Sequence, residues 1–221
     1  MDAAAFTDTF GHWTHQPILL GLAFGLVHAF DADHVAAISG LSISDRSTSP
    51  TSYAIRWALG HAAALGVIAA FVLGLGLVGL VTVSGYAEAI VAATLVAVGL
   101  HALRDARRHV VGGVREGRGS IRLGGRAGVV MGMLHGGAGS AAVIALLPLA
   151  SFDAGLDSGL YLAFFSLGVA AGACGFSRVL ASAFVLTERA GERLRAALHA
   201  VVGVAGVCTG VLLFMEVAGG G

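Results

Sequence analysis

The stretch His28-Ala29-Phe30-Asp31-Ala32-Asp33-His34 places two imidazoles and two carboxylates inside an apolar run. Gly25-Leu26-Val27 precedes it and Val35-Ala36-Ala37-Ile38 follows it. Ionisable groups are costly in hydrocarbon, so such a cluster in a segment of membrane length indicates a functional site. Imidazole nitrogens and carboxylate oxygens together form a ligand set for divalent transition metals. The stretch therefore predicts a metal site inside a membrane.

The composition of the whole chain agrees with a membrane location. Its 221 residues are 57% apolar and 12% charged, with a mean hydropathy of +0.86, whereas soluble domains carry about 25% charged residues. The formal net charge is zero, which gives no electrostatic reason to expect nucleic acid as a partner. Cys174 and Cys208 fall in apolar runs without a CxxC pattern, so neither a disulfide nor a thiolate metal site is predicted. We expect one transmembrane domain over residues 1–221.

Six apolar segments follow one another along the chain, and each is near the ~20 residues that a spanning helix needs. They cover roughly 17–41, 54–82, 86–104, 127–150, 158–184 and 197–218. The prediction is an all-α integral membrane protein with about six transmembrane helices.

The arginines predict the orientation of these helices. The chain has no lysine, and the thirteen basic residues are all arginine. Seven of them lie in or beside the loop 105–126, which the positive-inside rule places in the cytoplasm. Alternation of the segments then places every arginine on the inner side and both termini outside.

A weak internal repeat accompanies this topology. Gly25-Leu-Val-His28 resembles Gly132-Met-Leu-His135 at an offset of 107 residues, and Leu59-Gly60 resembles Leu167-Gly168 at an offset of 108. With three helices in each half, the halves would have opposite orientations. This 3+3 inverted repeat is a common transporter plan, with the site near midmembrane at the repeat interface. Chance similarity among Ala-, Gly- and Leu-rich helices is the alternative.

Helical geometry divides the opening stretch. At 100° per residue, His28, Asp31 and His34 share one face of an unbroken helix, whereas Asp33 points about 160° away from Asp31. Asp33 would then orient a histidine from outside the ligand set or face another helix. The alternative is that the helix is broken at this point.

Histidines of later helices lie at a similar predicted depth. His34, His61 and His135 are each roughly 10–12 Å from the inner ends of their helices, and His28 lies about 9 Å further out, at 1.5 Å per residue. This indicates a ladder of sites that starts at His28. The candidate metal ligands are His28, Asp31, Asp33, His34, His61 and His135.

Simpler interpretations exist for several of these features. His61 or His135 taken singly could make a hydrogen bond between helices, and His101 and His199 are placed at the membrane interface. The Gly-rich stretch 136–140 could unwind and offer carbonyl groups to an ion, or it could only allow close packing.

Two motifs resemble a known family. His28-Ala-Phe-Asp-Ala-Asp-His34 resembles the H-A-x-D-A-D-H signature of the nickel/cobalt transporter family, within the NicO superfamily, and Trp57-Ala-Leu-Gly-His61 looks like the second motif of that family. Residues 133–141 take the place of a later motif but contain no carboxylate. Six helices are also fewer than the eight typical of the long members. These departures point to the short, urease-accessory-like branch.

The resemblance implies a permease for nickel or cobalt in a bacterial inner membrane. The metal ion would be the transported substrate, without a prosthetic group and without enzymatic activity. The resemblance carries His28, Asp33, His34 and His61 over as site residues, whereas His135 rests on this sequence alone. A homo-oligomer and a functional link to a nickel enzyme such as urease are further expectations.

Other functions compete with uptake. An efflux permease would use similar ligands, but a long His-rich cytoplasmic loop would favour it, and the loop here contains only His109. An intramembrane serine protease would pair Ser140 with His199, yet Ser140 follows Gly-Ala-Gly and is not in a G-x-S-G pattern. A membrane anchor for a metal sensor or chaperone is a third alternative. The chain contains no P-loop GxxxxGK[ST], so we expect no use of ATP.

Overall fold

The computed structural model of the chain describes residues 16–44, 48–75, 81–111, 124–138, 148, 152 and 155–219. Within these ranges the regular elements are all helical, as the apolar segments predict. The helices are Pro17–His28 (α1), Ala32–Ser44 (α2), Pro50–Leu75 (α3), Val81–Val111 (α4), Gly124–Gly137 (α5), Leu156–Ala190 (α6) and Glu192–Gly219 (α7).

Four of the helices, α3, α4, α6 and α7, are long and apolar enough to cross a membrane. The pair α1 and α2 passes the same test as one span bent by 58°, which gives up to five spans among the described residues. Only 22–39% of the apolar stretch of each long helix is buried. Large apolar side chains such as Val27, Leu59 and Leu212 are more than half exposed. This outward apolar surface is compatible with a multi-pass membrane protein.

Two of the six predicted segments differ from straight spanning helices. The segment 17–41 is broken, because α1 ends at His28 and α2 begins at Ala32. Of the segment 127–150, the described part forms the 14-residue helix α5, which ends at Gly137, and residues 139–147 lie outside the described part of the chain. The predicted count of six membrane-spanning helices is therefore not reached within the described ranges, where up to five spans are found.

The predicted cytoplasmic loop 105–126 is shorter than the apolar boundaries suggest. Helix α4 continues to Val111, and α5 begins at Gly124. Hydropathy fails to show this extension because the last turns of α4 are polar. Arg108 donates a hydrogen bond to Asp105 at 3.2 Å within these turns, so side-chain pairing supports the helix where apolar residues are absent.

Glycines bring the helices together in three close pairs, α1 with α6, α3 with α5, and α4 with α7. In the first pair, Gly25 faces the backbone of Phe165, and Gly168 faces the backbone of Leu22 and Leu26. In the third pair, the backbone of Gly99 faces that of Gly203. Small residues allow helix backbones to approach in this way, and dispersion forces and packing then stabilise the pair.

The contacts of the first pair recur in the second pair at the offsets of the sequence repeat. Gly132 faces the backbone of Trp57 as Gly25 faces Phe165. Gly60 faces Val129 and Met133 as Gly168 faces Leu22 and Leu26. Each position of α5 follows its counterpart in α1 by 107 residues, and each position of α6 follows its counterpart in α3 by 108. A coincidence of short sequence matches does not explain this agreement of packing contacts, which is what a true repeat of helix pairs produces.

We predict that a side chain at Gly132 separates α5 from α3. A Cβ there would overlap the carbonyl oxygen of Trp57, so Gly132→Val should lower the free energy of unfolding by about 1–3 kcal/mol or more. The matched control is Gly66→Ala in α3, because nothing lies within 4 Å of a Cβ at Gly66. Thermal unfolding of the purified proteins in detergent measures both effects, and equal midpoints for the two variants would contradict the packing.

The described arginines lie toward one end of the bundle. The end of α2, the start of α3, the end of α6 and the start of α7 line one cavity. The end of α4 reaches the start of α7 through His109 and Glu192, and the start of α5 faces the start of α3 at Gly128 and Tyr53. This one-sided charge distribution is the one that the sequence predicts. The cytoplasmic side of this end and the outer location of the termini remain predictions.

Candidate metal centre

The break between α1 and α2 shapes the candidate site. The N–H of Asp31 donates to the carbonyl of His28 at 3.1 Å, and the N–H of Val35 donates to the carbonyl of Asp31 at 3.0 Å. The ring of His34 also folds back, and its Nδ1 lies 2.9 Å from the carbonyl oxygen of His28. The carbonyl oxygen of His28 at the end of α1 thus accepts two hydrogen bonds, one from the backbone of Asp31 and one from the side chain of His34. The break therefore turns His34 toward His28.

Four histidines from four helices meet at this point. The ring centroid of His34 lies 4.6 Å from that of His28, 5.3 Å from that of His61 and 5.6 Å from that of His135. His28 and His61 are 5.5 Å apart. His34, His61 and His135 are each at most 3% exposed. Three buried imidazoles and the partly exposed His28 thus form one cluster in place of the predicted ladder. The broken helix removes the 9 Å step expected between His28 and His34 on a straight one.

Hydrogen bonds at Nδ1 leave the opposite ring nitrogens available for a metal. A carbonyl oxygen can only accept a hydrogen bond, so the ring nitrogen that faces it must be the donor. Nδ1 of His34 donates to the carbonyl of His28, and Nδ1 of His135 donates to the carbonyl of Met131 at 2.8 Å. Nε2 then carries the lone pair. Among the described residues, the buried Nε2 of His135 and Nδ1 of His61 have no hydrogen-bond partner. Buried polar atoms without partners are costly, and a cation would satisfy them.

The carboxylates complete two overlapping groups of ligand atoms. Single ligand atoms of His28, His34 and His61 all lie within 4.8 Å of one another, and the same holds for Asp31, Asp33 and His34. Atoms that bind one metal ion at about 2.1 Å stand roughly 3–4 Å apart, so small side-chain rotations suffice to close either group. His34 belongs to both groups.

Asp33 is closer to the site than the unbroken helix predicts. Its Oδ2 lies 3.8 Å from Nε2 of His34. The prediction that Asp33 points away from the other ligands is wrong for the broken helix, and the alternative of a break describes the structure. Asp33 also lies in the first turn of α2, where the helix dipole favours a negative charge.

Asp31 supports His28. Its Oδ2 is 2.7 Å from Nδ1 of His28, so this nitrogen donates to the carboxylate and Nε2 faces the cluster. Carboxylates that hold a ligating imidazole in this way fix its tautomer and ring orientation.

We predict that Asp31→Asn weakens nickel binding about 10- to 100-fold, the range observed when such supporting groups are removed. The neutral amide leaves the tautomer and orientation of His28 less well defined. Equilibrium dialysis of the purified protein against nickel measures the dissociation constant. Asp105→Asn is the control, because Asp105 also lies beside a histidine, His101 at 3.6 Å, but on α4 outside the cluster. Equal dissociation constants for the two variants would contradict the assigned role.

Two aromatic side chains form a wall of the site. The sequence analysis did not assign them to it. Trp57 is fully buried, and its ring lies 4.8 Å from His34, 5.2 Å from His61 and 5.7 Å from His135. Phe165 lies 5.3 Å from His28. Two signals could have identified them. Trp57 precedes His61 by four residues, which places both on one helix face, and Phe165 follows Trp57 at the repeat offset of 108.

The other histidines in the described part of the chain, His101, His109 and His199, lie outside the cluster. His199 is buried, and its ring lies 5.1 Å from that of His109 at the arginine-bearing end of the bundle; its place at the membrane interface stays a prediction. Ser140, the proposed protease nucleophile, lies outside the described residues. All six predicted ligands are described, and the structure brings them together; their role in binding a metal remains a prediction.

Comparison with known proteins gives one informative similarity. No protein-family model and no solved structure matches the chain. The hydrogenase nickel incorporation protein HupN of Bradyrhizobium diazoefficiens is 36% identical over 83 residues, which cover 34% of this chain and 22% of HupN. The matched part therefore spans about a fifth of that protein.

Proposed function

We propose that this protein is a secondary permease that carries a divalent transition-metal ion, nickel or cobalt, across the bacterial inner membrane into the cytoplasm. The observation that carries the proposal is a cluster of four histidines, three of them buried, beside two carboxylates in a bundle of apolar helices. The histidines are His28, His34, His61 and His135. A structural role would not need so many partly unsatisfied imidazoles in one place, because each could be replaced by an apolar residue at a lower cost.

The ligand types are those of a site for a divalent transition metal, and nickel is among the metals they suit. Imidazole nitrogens suit nickel, copper, iron and zinc, and carboxylates extend the set toward harder ions. The described cysteines are not part of the cluster, since neither Cys174 nor Cys208 belongs to either ligand group. The similarity to HupN, whose name refers to nickel incorporation, gives support from outside the structure.

The shared ligand suggests how an ion moves. Asp31 and Asp33 are part-exposed, with 41% and 28% of their side chains accessible, whereas His34 is buried. A hydrated ion would first exchange water for the carboxylates and His34, and then exchange the carboxylates for His28 and His61. His34 holds the ion during both steps. Sites for transported ions must be weak enough to release the ion again, and the transfer between two groups that share a ligand avoids a deep trap.

The membrane potential supplies the driving force for inward movement. A divalent ion gains about 4.6 kcal/mol per 100 mV, twice the value for a single charge. The repeat of helix pairs, with the site at the contact of both halves, agrees with the plan of secondary transporters that alternate access to a central site.

Uptake of radioactive nickel into cells that lack their own nickel transporters tests the proposal. We expect accumulation in cells with the chain, collapse of accumulation when the membrane potential is dissipated, and competition by cobalt. Loss of preloaded nickel from cells that express the chain would assign the direction to efflux. If cells with and without the chain contain equal nickel in the uptake assay and in the preloading assay, the permease is rejected. A metal sensor or a membrane anchor would then be the remaining functions.

A further inference from the structure

A second polar site lies at the arginine-bearing end of the bundle. A cavity of about 350 Å³ opens between the end of α2, the start of α3, the end of α6 and the start of α7. Its polar lining consists of Ser42, Thr48, Ser49, Thr187, Arg195 and His199. The volume is at the lower end of the range for small-molecule sites.

The electrostatic character of this cavity is positive. Arg195 is half-buried, and among the described residues no carboxylate lies within ion-pair distance of it. The N–H of Ser52 donates to Oγ of Ser49 at 3.2 Å, so Ser49 caps the start of α3, and Ser49 and Pro50 both face the cavity. The positive end of a 26-residue helix is thus directed at the space that Arg195 lines. Glu192, one turn before Arg195, accepts a hydrogen bond at 2.5 Å from His109 of α4.

The lining also contains an unsatisfied hydroxyl group. Ser42 is 6% exposed, and its Oγ has no hydrogen-bond partner among the described residues. A buried hydroxyl without a partner is unfavourable unless a ligand or solvent completes it. Ser42 belongs to α2, and Arg195 belongs to α7. A ligand that contacts both must therefore bridge the two helices.

We propose that this cavity binds a small oxyanion, a phosphate or carboxylate group held by Arg195 with the hydroxyls of the cavity. Guanidinium groups bind such anions through two parallel hydrogen bonds, and Ile43 and Phe184 give the cavity an apolar wall for a short carbon skeleton. The anion can be a free solute or the headgroup of an anionic lipid. A metal cation is disfavoured there by Arg195 and by the start of α3. The inference is independent of the proposed transport activity, because no metal takes part in it.

Thermal unfolding of the purified full chain in a neutral detergent tests the free solute. The probe is inorganic phosphate, titrated against chloride at constant ionic strength. A ligand that binds only the folded protein raises its unfolding temperature in a saturable way. We expect this effect in the native chain and a dissociation constant about 10- to 100-fold higher in Arg195→Gln, which loses the charged hydrogen bonds. Arg193→Gln is the matched control, since Arg193 is on the same helix but does not line the cavity, and it should bind as the native chain does.

A second measurement tests the lipid source. The chain is placed in nanodiscs of phosphatidylglycerol and phosphatidylcholine, and the lipids retained after extraction are identified by native mass spectrometry. Retention of phosphatidylglycerol by the native chain and Arg193→Gln, but not by Arg195→Gln, identifies a headgroup. If Arg195→Gln does not fold, Ser42→Ala replaces it, with an expected several-fold weakening through loss of one hydrogen bond. Equal behaviour of the cavity variants and the native chain in both measurements, or no saturable phosphate effect and no retained lipid, overturns the proposal.

Discussion

Replacement of His34 by alanine should reduce nickel uptake to the level of cells without the protein, a loss of at least about 100-fold. His34 is the one residue that belongs to both groups of ligand atoms, so its removal interrupts entry and the transfer that follows. Its Nδ1 also satisfies the carbonyl of His28 at the break. Each metal–imidazole contact that is lost weakens binding, and a buried site cannot replace it with bulk water. Uptake of radioactive nickel over the first minutes gives the rate.

The control for this variant is His101→Ala. His101 is a partly buried histidine of α4 near an aspartate, and it does not belong to the cluster, so we expect native uptake. His34→Gln separates ligation from helix geometry, because an amide can still donate to the carbonyl of His28 but is a poor ligand for nickel. Native protein levels in the membrane with absent uptake are the expected result for it. Uptake above half of the native rate in His34→Ala would reject the central role of this residue.

Trp57→Ala should have the second large effect, on stability and on metal binding together. The indole is fully buried and contacts three of the four histidines. Truncation of a buried tryptophan costs about 3–5 kcal/mol through lost contacts and the cavity left behind. The imidazoles of His34, His61 and His135 would lose the wall that holds their rings in position, and nickel affinity should fall by about 10-fold or more. Thermal unfolding and equilibrium dialysis measure the two quantities.

Trp57→Phe distinguishes the loss of aromatic packing against the histidines from the general effect of a cavity on stability. A phenyl ring retains most of the aromatic surface and should restore much of the nickel affinity while stability remains lower than native. Leu65→Ala in α3 serves as a second control, because Leu65 is about as deeply buried as Trp57 and its aliphatic side chain offers no ring to pack against the imidazoles. It should lower stability with little change in affinity. If Leu65→Ala weakens nickel binding as much as Trp57→Ala, the tryptophan has no positioning role of its own.

Much of the fold follows from elementary features of the sequence. Apolar runs near 20 residues predict helices, and the structure forms a helix in each of the six predicted segments. The ends of these helices were harder to predict. Helices α4 and α6 continue beyond their apolar parts through polar turns, and a hydropathy profile treats such turns as loops. The break at residues 29–31 is accompanied by the bond from Nδ1 of His34 to the carbonyl of His28, which a hydropathy profile does not record.

The candidate site was predictable in membership but not in geometry. Ionisable residues in apolar helices are rare and costly, so their presence alone selected His28, Asp31, Asp33, His34, His61 and His135. Their arrangement depended on an assumed straight helix, and that assumption placed Asp33 and the depth of His28 wrongly. Trp57 was missed because a tryptophan in an apolar helix looks like ordinary core until its neighbours are known.

The repeat of helix pairs also has a consequence for the number of ions that the proposed site would hold. The duplicated scaffold relates His28 to His135, but the position in α6 that corresponds to His61 is Val169, which is buried and has no donor atom in its side chain. The helix packing is therefore repeated in the two halves, but the set of metal-binding side chains is not. A second equivalent centre cannot form in the other half, and saturation should occur near one ion per chain. In the proposed permease, the two halves would consequently present different ligands to the ion, because only one half carries the histidine that corresponds to His61.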